Sequence, residues 1–117
     1  MCGHSHCGAC QSLHNTIPDN KDFINIKKWL ELGEKAKSMT LKNNYQTKDE
    51  LYTATERNSL ICQLENLMTY PIIKNNIQSK QLKIHGWYYQ LIDGSIEYYD
   101  SQSRQFKDIV EYQNDAL

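Results

Sequence analysis

The sequence predicts an α/β protein with helices first and a strand hairpin late. Three observations carry this reading. A run with an N-terminal capping signal and apolar residues every three or four positions, over residues 47–70, has the period of a long helix. The stretch LKIHGWYYQLIDGSIEYYD, residues 82–100, is rich in aromatic and branched side chains and has strand character. Asp93-Gly94 lies inside that stretch as a two-residue hairpin signal, because both turn positions must accept a positive φ. At 117 residues the chain is long enough for one domain and too short for two comfortable ones.

Residues 1–10 hold glycine, cysteine and histidine and offer no run able to form a strand. Pro18-Asp19-Asn20 marks a turn and a helix start. The next spacing predicts a helix over 22–38 that buries Phe23, Ile26, Leu30 and Ala36 with Trp29 beside them, interrupted by Gly33. Thr47-Lys48-Asp49-Glu50 has the form of a capping box, in which hydroxyl and carboxylate satisfy orphan backbone donors reciprocally. Leu51, Ala54, Ile61, Leu64 and Met68 then form the apolar stripe, and Pro71 closes the helix. IIKNNIQ follows as one or two helical turns. A strand over Leu82–Ile92 pairs through the hairpin, and residues 101–117 read as a polar tail with a short helix around Phe106–Tyr112. A two-stranded hairpin is marginal in water, so this strand belongs to a larger sheet whose other strands the pattern does not supply.

Thirteen basic residues against fourteen acidic ones leave a net charge of −1, which argues against nucleic-acid binding and against a polybasic membrane patch. Lys27-Lys28 and Lys35 with Lys37 read as a solvated helix face. No apolar run approaches the roughly 18 residues of a membrane span, and the N-terminus lacks the pattern of a secretory signal. The reading is an intracellular, soluble protein whose cysteines are thiols. Cys62 is far along the chain from the others and reads as a small core residue. His14 reads as an exposed helix residue and His85 as a packed, hydrogen-bonded histidine in mid-strand. Trp29, Trp87 and the tyrosine-rich hairpin read as packing or a subunit interface.

The first ten residues, MCGHSHCGAC, hold three of the four cysteines and two of the four histidines. His4-Ser5-His6-Cys7 is an H-x-x-C arrangement, and imidazole nitrogen and thiolate sulfur are the ligands zinc prefers. It supplies two ligands of the usual four. Three other readings stay open. Cys2, His4 or His6, Cys7 and Cys10 can be combined into a small local zinc module. Cys7-Gly8-Ala9-Cys10 is a C-x-x-C, the pattern of dithiol redox proteins, although no strand is expected before it. The segment can also be a solvated tail without a ligand.

CGHSHCGA resembles the second zinc motif of the β-class carbonic anhydrases, G-H-x-x-C-G, where a strand ends and a helix opens. QLENLMTYPIIKNNIQSKQLKIHGWYYQLIDGSIE is similar to that family's helix, N-L-x-T-Y-P turn and last-strand hairpin, in the same order, with the cyanobacterial, carboxysome-type members nearest. The resemblance covers about residues 2–100. It implies a partial carbonic anhydrase domain over 1–100 followed by the polar tail 101–117, corresponding to the C-terminal half of the family fold with most of the parallel sheet missing. It implies zinc as cofactor, His4 and Cys7 as ligands with Gly8 next to the metal, and reversible hydration of CO₂ to bicarbonate. The family's other motif, C-x-D-S-R, has no counterpart in this sequence, so the third ligand and the Asp–Arg pair are not assigned and the chain alone is expected to be weakly active or inactive. The resemblance further implies a homo-oligomer or a complementary carbonic anhydrase chain as partner, and a cytoplasmic, carboxysome-associated location. A non-catalytic subunit acting through assembly is the alternative.

Overall fold

A computed structural model describes residues 1–115. The last two residues of the expected tail, 116 and 117, lie outside the described residues. The chain forms two compact units, one made of Met1–Ser5 with the described residues from Leu60 onward, the other of His6–Ser59. No helix among the described residues is long and apolar enough to cross a membrane.

The first unit is built on a four-stranded sheet in the order β1 (Cys2–His4), β2 (Trp87–Tyr89), β3 (Ile96–Asp100), β4 (Gln105–Asp108). β1 runs parallel to β2, with Gly3 opposite Tyr88, and the other two pairings are antiparallel. This corrects the reading of residues 1–10 as strandless. The segment becomes a strand because the backbone of β2 offers it a ladder, and side-chain propensity has little to do with it. Met1 anchors the entry, its ammonium donating to the His85 carbonyl at 3.0 Å while its own carbonyl accepts the Trp87 N–H at 3.0 Å.

Alternation along the strands separates two faces. Tyr88, Tyr99 and Phe106 share one face by register, and the Phe106 ring lies 6.1 Å from that of Tyr88 and 5.3 Å from that of Tyr99. Leu60 and Leu64 of the long helix pack here, against Gly3 and Gly86 respectively. A Cβ on Gly86 would stand 2.6 Å from Leu64 Cδ1, so only glycine lets helix and sheet approach this closely. On the opposite face the Tyr98 ring meets that of Tyr112 at 5.3 Å, from the helix Ile109–Asp115.

Two expectations for this unit change. The strand expected over Leu82–Ile92 is only Trp87–Tyr89. Beyond it, Gln90 donates to the Ser95 carbonyl and Gly94 to the Gln90 carbonyl, both at 2.9 Å, so the hairpin closes around a four-residue loop, Leu91–Gly94, rather than a two-residue turn. The Leu91 N–H leaves the ladder to bond the Ser5 hydroxyl, while Gly94 supplies the positive φ of 73°. The polar segment from 101 carries β4 and the helix Ile109–Asp115, which begins three residues later than expected. Asp100 and Lys107 form an ion pair of 2.6 Å across β3 and β4, which explains polar residues inside a sheet.

The second unit holds α1 (Gly8–Ser12), α2 (Ile24–Leu30), a 3-10 turn (Glu31–Gly33), α3 (Glu34–Thr40) and the first part of α4 (Lys48–Leu67), whose later residues belong to the first unit with α5 (Pro71–Gln78) and α6 (Ile109–Asp115). The helix expected over 22–38 is therefore broken at Gly33, where Leu13 packs so closely that a Cβ would meet it at 2.8 Å. Of its expected apolar face Ala36 is buried, Ile26 is exposed and Trp29 is 59% exposed. The capping box forms as expected: Glu50 N–H donates to Thr47 Oγ1 at 3.2 Å, and Glu50 Oε2 accepts from Thr47 N–H at 3.4 Å and Gln46 N–H at 2.9 Å. α4 buries Thr55, Glu56, Leu60 and Cys62, so polar side chains share the stripe that spacing assigned to aliphatic ones.

Candidate metal site

His4 ends β1, and its ring is fixed by its neighbour. His4 Nδ1 lies 2.8 Å from the Ser5 carbonyl. A carbonyl can only accept, so Nδ1 carries the proton and Nε2 of the neutral ring is left with its lone pair for a metal. Ser5 is buried, its N–H donates to the Tyr89 carbonyl at 2.9 Å, and its hydroxyl accepts the Leu91 N–H at 2.8 Å. His6 then reverses the chain with φ of +54°, an uncommon conformation for a residue bearing a Cβ.

Cys7 is the N-cap of α1 and is half-buried. Its backbone N–H donates to Oε1 of Glu56 at 2.8 Å, a carboxylate that is itself buried on α4. Gln11 donates to the Cys7 carbonyl at 3.0 Å, closing the first turn of the helix. Three residues on, Cys10 is buried. Burial pushes the Cys10 thiol up to about 12, with help from the Cys7 sulfur and the Glu56 carboxylate and against a hydrogen bond from Ser59. Cys2 is exposed, and no group of three or more histidine, cysteine, aspartate or glutamate side chains is gathered among the described residues. The local four-ligand module from Cys2, His4 or His6, Cys7 and Cys10 therefore has no geometric support.

In kind, a neutral imidazole nitrogen and a thiol sulfur fit zinc; in number, they fall short of the three protein ligands that a catalytic zinc usually has. The strand–turn–helix frame itself, β1 then Ser5-His6 then α1, is the setting the resemblance implies. It also supplies the strand whose expected absence argued against a dithiol role for Cys7 and Cys10.

Sequence reasoning missed the supporting residues. Ser5 and Glu56 carry no motif, and a carboxylate on a helix ordinarily reads as solvent-facing. His14, expected on an exposed helix face, lies just past α1 and is partly buried. Its Nε2 is 2.7 Å from Thr55 Oγ1, whose own proton goes to the Leu51 carbonyl, so the imidazole donates. Burial, and then Lys37, lower its basicity, partly offset by Glu34. His85 is exposed rather than packed in mid-strand, its ring edge-on to Tyr112 at 5.3 Å. Cys62 is buried as expected.

A family profile described as carbonic anhydrase matches residues 1–96. The chain belongs to the carbonic anhydrase family. Within it the likeness is to the β class: the structure of the β-carbonic anhydrase CcaA superposes with a TM-score of 0.82 at 29% identity, over 92% of this chain and 48% of that one. A carbonic anhydrase of Synechococcus elongatus is 33% identical over 98 residues, 82% of this chain and 36% of its own length. One from Helicobacter pylori strain J99 is 36% identical over 117 residues, 95% of this chain and 52% of its own. A tetrameric β-carbonic anhydrase from Sordaria macrospora shares the fold at a TM-score of 0.72 and 19% identity, over 83% of this chain and 49% of that one. The chain thus spans about a third to a half of the length of these relatives.

Proposed function

We propose that this chain contributes His4 and Cys7 as ligands to the zinc of a carbonic anhydrase that interconverts CO₂ and bicarbonate, the remaining ligand coming from a second copy or a complementary carbonic anhydrase chain. The observation that carries the reading is the hydrogen bond from His4 Nδ1 to the Ser5 carbonyl, which turns Nε2 into the available donor nitrogen. Zinc, when bound, supplies Lewis acidity that makes water a nucleophile near neutral pH, as is known for carbonic anhydrases as a class. The chain's own part is orientation. Ser5 holds the end of β1 through Tyr89 and Leu91, and Glu56 holds the backbone at Cys7. Shared ligation is consistent with the shortfall of donors, and relatives include a tetrameric enzyme.

The test is CO₂ hydration, followed by proton release, on the natively assembled protein. A catalysed rate that disappears in His4→Ala and in Cys7→Ser and survives in Cys10→Ala is expected. A rate indifferent to the first two substitutions contradicts the ligand assignment. No catalysed rate in the unaltered protein overturns the enzymatic reading in favour of a non-catalytic subunit.

A further inference from the structure

The first unit encloses a cavity of about 870 Å³ between the later part of α4, the end of α5, residues 82–86 and the end of β3. Neither His4 nor Cys7 lines it. Its walls are mainly aliphatic. Ile61, Leu64, Ile77, Leu82 and Ile84 are each half-buried there, and Met68 is exposed. Backbone hydrogen bonds hold the walls in place. The Asn76 carbonyl accepts the N–H groups of Gln81 at 2.9 Å and Leu82 at 3.1 Å, which fixes the turn after α5 with Lys80 at a φ of +59°. On β3 the Tyr99 N–H donates to the Gly86 carbonyl at 2.8 Å. The volume is in the range of pre-formed small-molecule sites. Along residues 82–85 the half-buried Leu82 and Ile84 alternate with exposed Lys83 and His85, and Lys80 is exposed too. Neither lysine has an ion pair among the described residues. Among those residues the lining holds one carboxylate, Glu65, against the two lysines.

We propose that this cavity binds a straight-chain alkyl carboxylate, its chain along the aliphatic walls and its head group at Lys80 and Lys83. The composition of the walls selects the chain. Tyr99 is their one aromatic side chain among the described residues, so they offer branched aliphatic surface rather than a ring-stacking slot. The flexible thioether of Met68 adapts to an irregular fill. Each methylene taken from water into such walls is favourable. The charge at the rim selects the head group. Two lysines against one carboxylate favour an anion over a cation, and lysine is a point charge on a flexible stem that suits a single carboxylate. A peptide segment fits less well, because it brings backbone N–H and carbonyl groups that aliphatic walls cannot satisfy. The site is independent of the zinc reading.

The experiment titrates the full, reduced chain with dodecanoate, below its micelle-forming concentration and at neutral pH, by isothermal calorimetry. Dodecyltrimethylammonium, with the same chain and the opposite charge, and acetate, with the head group alone, serve as comparisons. Saturable uptake of one dodecanoate per chain is expected, with weaker binding of the ammonium and none of acetate. Methyl-resolved NMR of the unaltered chain should place the shifts at Ile61, Leu64, Ile77 and Ile84. Replacing both lysines, Lys80→Gln with Lys83→Gln, should weaken dodecanoate by about fivefold, the worth of two exposed charge contacts. Ile77→Trp, which fills the cavity with an indole, should abolish uptake, and the NMR map does not depend on that variant folding. Equal affinity for dodecanoate and the ammonium, shifts centred outside this lining, or the absence of saturable uptake overturns the proposal.

Discussion

Ser5 shows how one small side chain sets the turn on which the site depends. Its hydroxyl is the acceptor for the Leu91 N–H, and its carbonyl is the acceptor for the His4 ring. Ser5→Ala keeps the backbone bonds but leaves the Leu91 N–H without that partner. It is expected to cost about 1 kcal/mol by chemical denaturation, the usual net worth of one hydrogen bond at a part-buried position. A loss below a few tenths would mean that Leu91 finds another acceptor. His4 and Cys7 stand out in the sequence as candidate ligands because their side-chain chemistry and spacing are unusual together. Ser5 and Glu56 were not, because their importance comes from neighbours more than 45 positions away in sequence. Cys10 was legible as half of a C-x-x-C, but its burial was not.

Helix ends were the most legible elements, since a cap is a local device. The Thr47–Glu50 box forms with both reciprocal bonds, and Pro71 opens α5 where spacing placed a break. Thr47→Ala should remove the hydroxyl acceptor for Glu50 N–H and lower stability by about 1 kcal/mol in thermal or urea unfolding, with no change in the metal chemistry of the opening turn. An unchanged stability would show that Glu50 alone caps the helix. Strand limits were less legible. The stretch over 82–92 has strand character throughout, but a strand extends only as far as its partners do, and the partners were a three-residue N-terminal segment and a strand that turns away at Ser95. β4 was hidden because its inward alternation rests on Phe106 alone, with Lys107 placed by its ion pair to Asp100.

For the molecule as a whole, the missing sheet inferred from a lone hairpin was half right. Two of the absent strands are in the chain, β1 at its start and β4 near its end, and they complete a sheet of four. The α/β class was readable from the order of helices and strands, but its division into two units was not, because one unit joins the first five residues to the second half of the chain. That closure carries His4 on a strand paired with β2, whereas Cys7, in the other unit, caps a helix and is held by Glu56 of its own unit. Ile24, Trp29 and Leu32 lie exposed on the α2 side, large apolar side chains at the surface of the second unit. Association can supply a ligand, but it cannot replace the two that this chain is proposed to bring.

The most direct measurement is a cobalt(II) titration of the full, reduced protein, read by thiolate-to-cobalt charge-transfer absorption and by competition with zinc. The account predicts a thiolate band that zinc abolishes, with metal affinity lowered at least about tenfold by His4→Ala or Cys7→Ser and kept by Cys10→Ala and Cys2→Ala. The absence of any thiolate band, or a band that survives Cys7→Ser and vanishes in Cys10→Ala, would contradict it.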